Sequence, residues 1–290
     1  MTRVLLLGCS VVGLWGSTWV VLRTAIAHRG LSPEGLALGR FTIASLAFAV
    51  VALWRPPPPL SREEWRRVAL AGLLGTALYS LLSGWGQRTV DAGTSAVIIQ
   101  SAPLWTALGA WLVLRQRVGP AVWLGMALAF AGLALIARGV ATGTGGDFGD
   151  LAMLFAASLA FAGYNVLMQP VAARIGGWWP TAYAVWIGTL VLLPLTGYAI
   201  ADLRQQPGAA LAAWAWLGLL STTAGYATWT ALAGAMPLAR AAIVLYLVPV
   251  LALLLGWAIL GERPGAVGFA GIACILAGVI VAQRKAEQSP

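Results

Sequence analysis

Trp15, Thr18, Trp19 and Leu22 stand at i, i+3, i+4 and i+7 in the stretch GLWGSTWVVLRTA, so a helix would carry them on one face. Two indoles beside a hydroxyl bury apolar surface and still bond a polar end, which is the chemistry of a binding face, with packing between helices or anchoring at the membrane interface as the alternatives. Related combinations recur down the chain. Tyr79 and Ser83 are four residues apart, Thr222, Tyr226 and Trp229 share a face, Gln100, Ser101 and Trp105 surround Pro103, and Tyr246 precedes Pro249. A proline leaves the carbonyl four residues earlier without its helical donor, here Ile99 and Leu245. Pro103 and Pro249 are therefore candidate paired hinges, with fixed kinks as the alternative.

Bond-breaking chemistry finds little support. The chain has one histidine, His28, and two cysteines, Cys9 and Cys274, which lack metal-ligand spacing and read as packing residues. None of the nine acids falls in the middle of an apolar run. No catalytic set, metal or cofactor is expected, nor a deep carboxylate relay for protons. Arg40 and Arg23 are the ionisable groups inside apolar runs. Arg40 lies deep enough that its charge costs a few kcal/mol unless it pairs, snorkels or faces water. Either it meets an anionic group such as a substrate carboxylate, or it is structural, snorkelling or paired with Glu34. Arg23 is close enough to an interface to snorkel.

The elements that must position these side chains follow from composition. Of 290 residues, 60% are hydrophobic and 9% charged, with a mean hydropathy of +0.85. Such a chain cannot cover a water-facing surface. Charge-free runs at 4–22, 68–87, 92–114, 118–137, 151–173, 175–201, 205–239, 241–261 and 264–283, with 35–54 interrupted by Arg40 alone, are each long enough to cross a bilayer as a helix. Strands are excluded, because barrel segments alternate over about 10 residues. The reading is an all-α membrane protein of ten transmembrane helices. The net charge of +9 comes mostly from loop arginines, which anionic lipid and the positive-inside rule explain without nucleic acid. The run LLLGCS resembles a lipoprotein box, but too little apolar sequence precedes Cys9, so the first run is expected to stay as a span.

An internal repeat organises the chain. Residues 101–138 align without gaps on 247–284, pairing Pro103 with Pro249, Trp111 with Trp257, and Gly119, Gly125 and Gly132 with Gly265, Gly271 and Gly278. The same offset of 146 pairs Thr76 with Thr222, and Trp15, Thr18, Trp19 and Leu22 with Phe161, Tyr164, Asn165 and Met168. Five spans per copy make the repeats inverted, and both copies then present an aromatic-polar face near the midplane. With both termini cytoplasmic, eleven Lys and Arg fall inside and six outside. The expected organisation is a first repeat over 1–138, a linker at 139–147, a second repeat over 148–284 and a cytoplasmic tail over 285–290. The glycines seven residues apart, with Ala129, suit close helix packing, with dimerisation as an alternative. RPPPPL at 55–60 reads as a stiff connector.

These landmarks resemble the EamA-type transporters of the drug/metabolite transporter superfamily. The resemblance rests on LWGSTWVVLR, LGRF, AGTSAVIIQSAPLWTALGAWLVL and, most specifically, the LGERP end of the ninth run; LRQRV departs from the usual Gly-Glu at the equivalent loop. It covers nearly the whole chain and implies a ten-helix inverted-repeat fold and export of amino acids or other small metabolites. The expectation is a bacterial inner-membrane exporter, not an enzyme, working by alternating access as a monomer or dimer. Its partners are the lipid bilayer and a small-molecule substrate, most simply a neutral or aromatic amino acid. The candidate binding residues are Trp15, Thr18, Trp19, Arg40, Tyr79, Gln100, Trp105, Tyr164, Asn165, Tyr226, Trp229 and Tyr246. Export of cationic or lipophilic toxic compounds, and a membrane sensor or scaffold, are the other readings.

Overall fold

The computed structural model describes residues 2–115, 119–141, 146–235, 244–245, 247–263 and 265–284, and every regular element among them is helical. Tyr246 lies outside the described residues. In the first part, α1 (Thr2–Arg23) runs into a π-helical turn at Thr24–His28, and α2 (Pro33–Trp54) returns. Next, α3 (Arg62–Ala71) and α4 (Tyr79–Gly86) form one rod through a π-helical segment at Gly72–Leu78. There follow α5 (Ala92–Ile99), α6 (Ala102–Leu114) and α7 (Pro120–Ala141). In the second part, α8 (Phe148–Ile175) precedes α9 (Trp178–Leu192), which continues through a 3₁₀ turn into α10 (Thr196–Gln205). Then α11 (Pro207–Ala215) and α12 (Gly225–Ala235) are joined by a π-helical segment at Trp216–Ala224. Last come α13 (Leu247–Leu255), with a π-helical turn at Gly256–Leu260, and α14 (Ala266–Arg284).

Among the described residues, six stretches are long and apolar enough to cross a bilayer: Val4–His28, Pro33–Trp54, Arg62–Gly86, Ala92–Val113, Phe148–Ile175 and Trp178–Gln205. Shorter apolar helices lie at Trp123–Gly132, Leu247–Leu260 and Ala266–Gly278. The third stretch starts at Arg62, six residues before the apolar run that begins at 68. A capping box causes this: Ser61 Oγ accepts from Glu64 N at 3.3 Å while Ser61 N donates to Glu64 Oε2 at 2.8 Å. The acids that flank the apolar runs do similar work. Asp91 caps α5 through Thr94 N at 2.7 Å, and Asp147 caps α8 through Gly149 N at 2.7 Å.

Packing is reciprocal between the two parts. α1 lies on α12 and α13; its offset partner α8 lies on α4 and α6; α2 meets α9, and α7 meets α14. The α7–α14 pair is the most regular of these. A Cβ on Gly132 would fall on the Gly271 carbonyl and Ile275, and one on Gly278 on the Gly125 carbonyl and Ala129. Each glycine thus makes room for the other helix's backbone, so the small-residue stripe packs within the chain.

Candidate functional site

The two π-helical segments in mid-rod, Gly72–Leu78 and Trp216–Ala224, occupy matching positions and turn hydroxyls inward. Within the second, Thr222 Oγ1 donates to Leu217 O at 2.8 Å and Thr223 Oγ1 to Gly218 O at 3.0 Å, five residues back in each case. Such wide turns concentrate at functional sites because they redirect side chains without ending the helix. Between the two segments lies a cavity of about 520 Å³, within the size range of small-molecule sites.

Ten of the twelve expected binding residues line it: Trp15, Thr18, Trp19, Arg40, Tyr79, Gln100, Tyr164, Asn165, Tyr226 and Trp229. Aromatic rings form most of the wall. Trp15 meets Tyr226 edge-on at 5.6 Å between centroids and Trp229 at 6.0 Å, while Phe161 lies 5.2 Å from Tyr79 and stacks on Tyr164 at 5.7 Å. Trp15 and Tyr164 each pack against a rod of the other part. Trp15 Nε1 donates to Ser221 O at 3.0 Å, and Gly225 is where a Cβ would meet that indole nitrogen. Thr18 Oγ1 bonds Leu14 O at 2.9 Å and meets Ser221 Oγ at 2.6 Å. Tyr164 instead lies against Gly75, which leaves its ring the space, and reaches Thr181 Oγ1 at 3.3 Å. Asn165 Nδ2 donates to Thr106 Oγ1 at 3.4 Å.

The broken helices meet at the wall. α5 ends at Ile99 and α6 begins at Ala102, so the break at Gln100–Ser101 precedes Pro103. The carbonyl of Leu245, which Pro249 deprives of its helical donor, accepts Gln100 Nε2 at 3.0 Å. That carbonyl is shared with Val248 N of its own segment, at 3.1 Å, so it joins the two broken helices.

Arg40 enters the cavity wall from α2, about 10 Å along the helix from Pro33. Its Nε donates to Thr222 Oγ1 at 2.9 Å, and its guanidinium carbon sits 5.0 Å from the Phe41 ring centroid. The pairing with Glu34 considered from sequence is not made: Glu34 Oε1 accepts from Trp85 Nε1 at 2.8 Å. The ion pairs among the described residues join Arg23 to Glu262, Arg66 and Arg67 to Glu63, and Arg174 to Glu64, and Arg40 takes part in none.

Two expectations need correction. Trp105 is buried on another face of α6: its Nε1 donates to Ser101 Oγ at 3.0 Å, and its ring packs edge-on against Phe130 and Phe155 at 4.9 and 5.5 Å. Thr106, one residue on, takes the wall position. Arg23 does not snorkel. Its Nε bonds Glu262 Oε1 at 2.9 Å and its Nη1 donates to Gln87 O and Arg88 O, both at 2.6 Å, while Glu262 Oε2 accepts from Ala92 N at 2.9 Å. That network ties the ends of α1, α4, α5 and α13 together.

Wall residues missed from sequence are Thr181, Ala184 and Val185 of α9 and the pair Thr76 and Ser221. Ser221 and Thr76 belong to π-helical turns, whose phase no 3.6-residue pattern reveals. Thr181 had a readable signal, a hydroxyl directly after Pro180 at the start of an apolar helix.

Comparison with known proteins places this geometry. The model of the EamA-like transporter family matches residues 2–138 and again 148–283. A protein of Streptantibioticus cattleyicolor named "Probable terminal-alkyne amino-acid exporter" is 33% identical over 274 residues, covering 93% of this chain and 90% of its own. The uncharacterized transporter YdfC of Bacillus subtilis is 28% identical over 281 residues, covering 96% and 90%. A solved crystal structure shares the fold at a TM-score of 0.61 and 19% identity, over 99% of both chains.

Proposed function

The chain belongs to the EamA-like transporter family, and from that premise we propose that it exports small metabolites, neutral or aromatic amino acids first among them, by alternating access around the central cavity. That it is a transporter and not an enzyme follows from the family and its relatives. The observation that carries the substrate reading is the wall itself: indole and phenol rings for an apolar side chain, with Thr18, Gln100 and Asn165 as polar groups between them. No carboxylate lines the cavity among the described residues, which disfavours a permanently cationic cargo. The similarity to a relative named as an amino-acid exporter supports the same class.

In this reading the protein is a ten-span unit of the bacterial inner membrane, both termini cytoplasmic. Residues 1–138 and 148–284 form two inverted repeats joined by 139–147, with 285–290 as a cytoplasmic tail. One chain encloses the cavity, so the monomer is the transporting unit. Pro103 and Pro249 are the paired hinges, and Gln100 couples them through Leu245 O. Rocking one repeat against the other exposes the cavity to either side in turn. Without a deep carboxylate, exchange or facilitated diffusion is the mode.

The test is counterflow of labelled amino acids into liposomes of purified protein, with and without a pH gradient. Trp19→Ala and Asn165→Ala should each lower the counterflow rate by about tenfold or more while leaving expression and melting temperature near wild type. Wild-type flux in both variants would remove those residues from the site. Flux that requires the gradient would replace exchange by proton coupling.

A further inference from the structure

We propose that Arg40 anchors a carboxylate and that the cavity recognises its cargo as an apolar monocarboxylate, whose amino group is dispensable for recognition. The inference rests on the cavity being the transport site. It concerns which part of the cargo is read.

The guanidinium is a positive charge inside an apolar helix, and among the described residues its one hydrogen bond is from Nε to the neutral Thr222 hydroxyl. Both Nη groups remain as donors in a planar fork, the geometry that suits a carboxylate. Its guanidinium lies over the Phe41 ring, and no carboxylate among the described residues pairs with it. A charge at that depth is costly unless an anion or water meets it, and the cavity is where an anion can arrive.

The opposite end of an amino acid has no such partner. The described wall offers no Asp or Glu to an ammonium group. Three backbone carbonyls near the wall accept protein donors: Leu245 O takes Gln100, Ser221 O takes Trp15, and Ala184 O takes Thr76 at 3.2 Å. What remains for an ammonium is a set of neutral acceptors, the amide oxygens of Gln100 and Asn165 and the wall hydroxyls, with the face of an indole ring. A hydroxyl group can donate to the same acceptors. The site therefore reads one charge and one apolar side chain. Hydroxy and keto acids with aromatic or branched side chains belong to its range alongside the amino acids.

Purified protein in lipid nanodiscs, titrated calorimetrically with phenylalanine, phenyllactate and phenylalaninamide and with the matching leucine series, tests this. Wild type should bind each amino acid and its hydroxy acid within about threefold, and the amide at least about tenfold more weakly. Arg40→Gln should weaken both acids by about tenfold or more, and Arg40→Lys should recover part of the loss. An amide that binds as tightly as the acid overturns the proposal, as does wild-type affinity in Arg40→Gln. A hydroxy acid about tenfold weaker than its amino acid overturns the dispensable amino group. Should Arg40→Gln fail to fold, the wild-type ligand series decides alone. Counterflow of the same compounds separates this from the transport reading. Binding without flux defeats transport and leaves the anchor, flux of acid and amide alike does the reverse, and neither binding nor flux defeats both.

Discussion

The two family-matching segments build opposite walls of one cavity from different parts. Where α1 meets the rod of α11 and α12, Thr18 bonds Ser221 and Trp15 sits over Gly225. At the matching place, where α8 meets the rod of α3 and α4, Tyr164 fills the space over Gly75 and Phe161 packs on Tyr79. The same contact holds two small hydroxyl residues on one side and a large residue against none on the other. Thr222 accepts from Arg40, whereas its counterpart Thr76 donates to the backbone of Ala184. Away from the cavity the two segments stay alike, as the mutual glycine contacts of α7 and α14 show. Packing is reciprocal at the α7–α14 contact, and the differences between the segments are concentrated at the cavity wall.

The strongest break should come where the segments are alike. Gly132→Leu and Gly278→Leu each drive a side chain into a facing backbone, and both should cost about 3 kcal/mol or more. Equal losses in melting temperature would support the equivalence, and a loss in one alone would break it. At the cavity, Gly75→Ser should cost about 1–3 kcal/mol, since it crowds the Tyr164 ring. Adding Tyr164→Thr rebuilds the arrangement of the other wall and should return about 1 kcal/mol of that in a double-mutant cycle. Strict additivity would mean the two contacts are not equivalent.

The ion pairs sharpen the contrast between the two ends of the helices. Arg23 and Glu262 expose 15% and 12% of their side chains, so Glu262→Gln should cost about 2 kcal/mol, read as a lower melting temperature. Arg174 pairs with Glu64 at 2.5 Å at the opposite end but is 47% exposed, and Arg174→Gln should cost about 1 kcal/mol or less. The smallest effect is expected at Ser45→Ala. Its hydroxyl meets Thr189 Oγ1 at 2.8 Å where α2 crosses α9, and Thr189 keeps its bond to Val185 O at 2.7 Å. About 0.5 kcal/mol is at stake there.

Much of the wall was legible because helical period is a local property. Trp15, Thr18 and Trp19 fall on one face at any depth, and the offset of 146 carries that face to Tyr164 and Asn165. Trp105 was misread because the turn at Gln100–Ser101 resets the phase, so proximity to Gln100 in sequence no longer predicts a shared face. Arg23 was misread because its partner stands 239 residues away, and distance from an apolar boundary cannot report a carboxylate folded onto it. Thr76 and Ser221 were hidden by π-helical turns, and α9 by having little but apolar residues to mark its inner face.

The cavity also has a consequence for water. At about 520 Å³ it has room for on the order of ten to twenty water molecules, and its hydroxyls, amide groups and guanidinium offer them hydrogen-bond partners. An amino-acid side chain displaces only part of that volume. In the proposed alternating-access cycle every opening to the other side would carry solvent along with cargo, which would make the protein a slow conduit for water as well as solute. Turnover should depend on the osmotic strength on each face of the membrane, even when no solute gradient drives it.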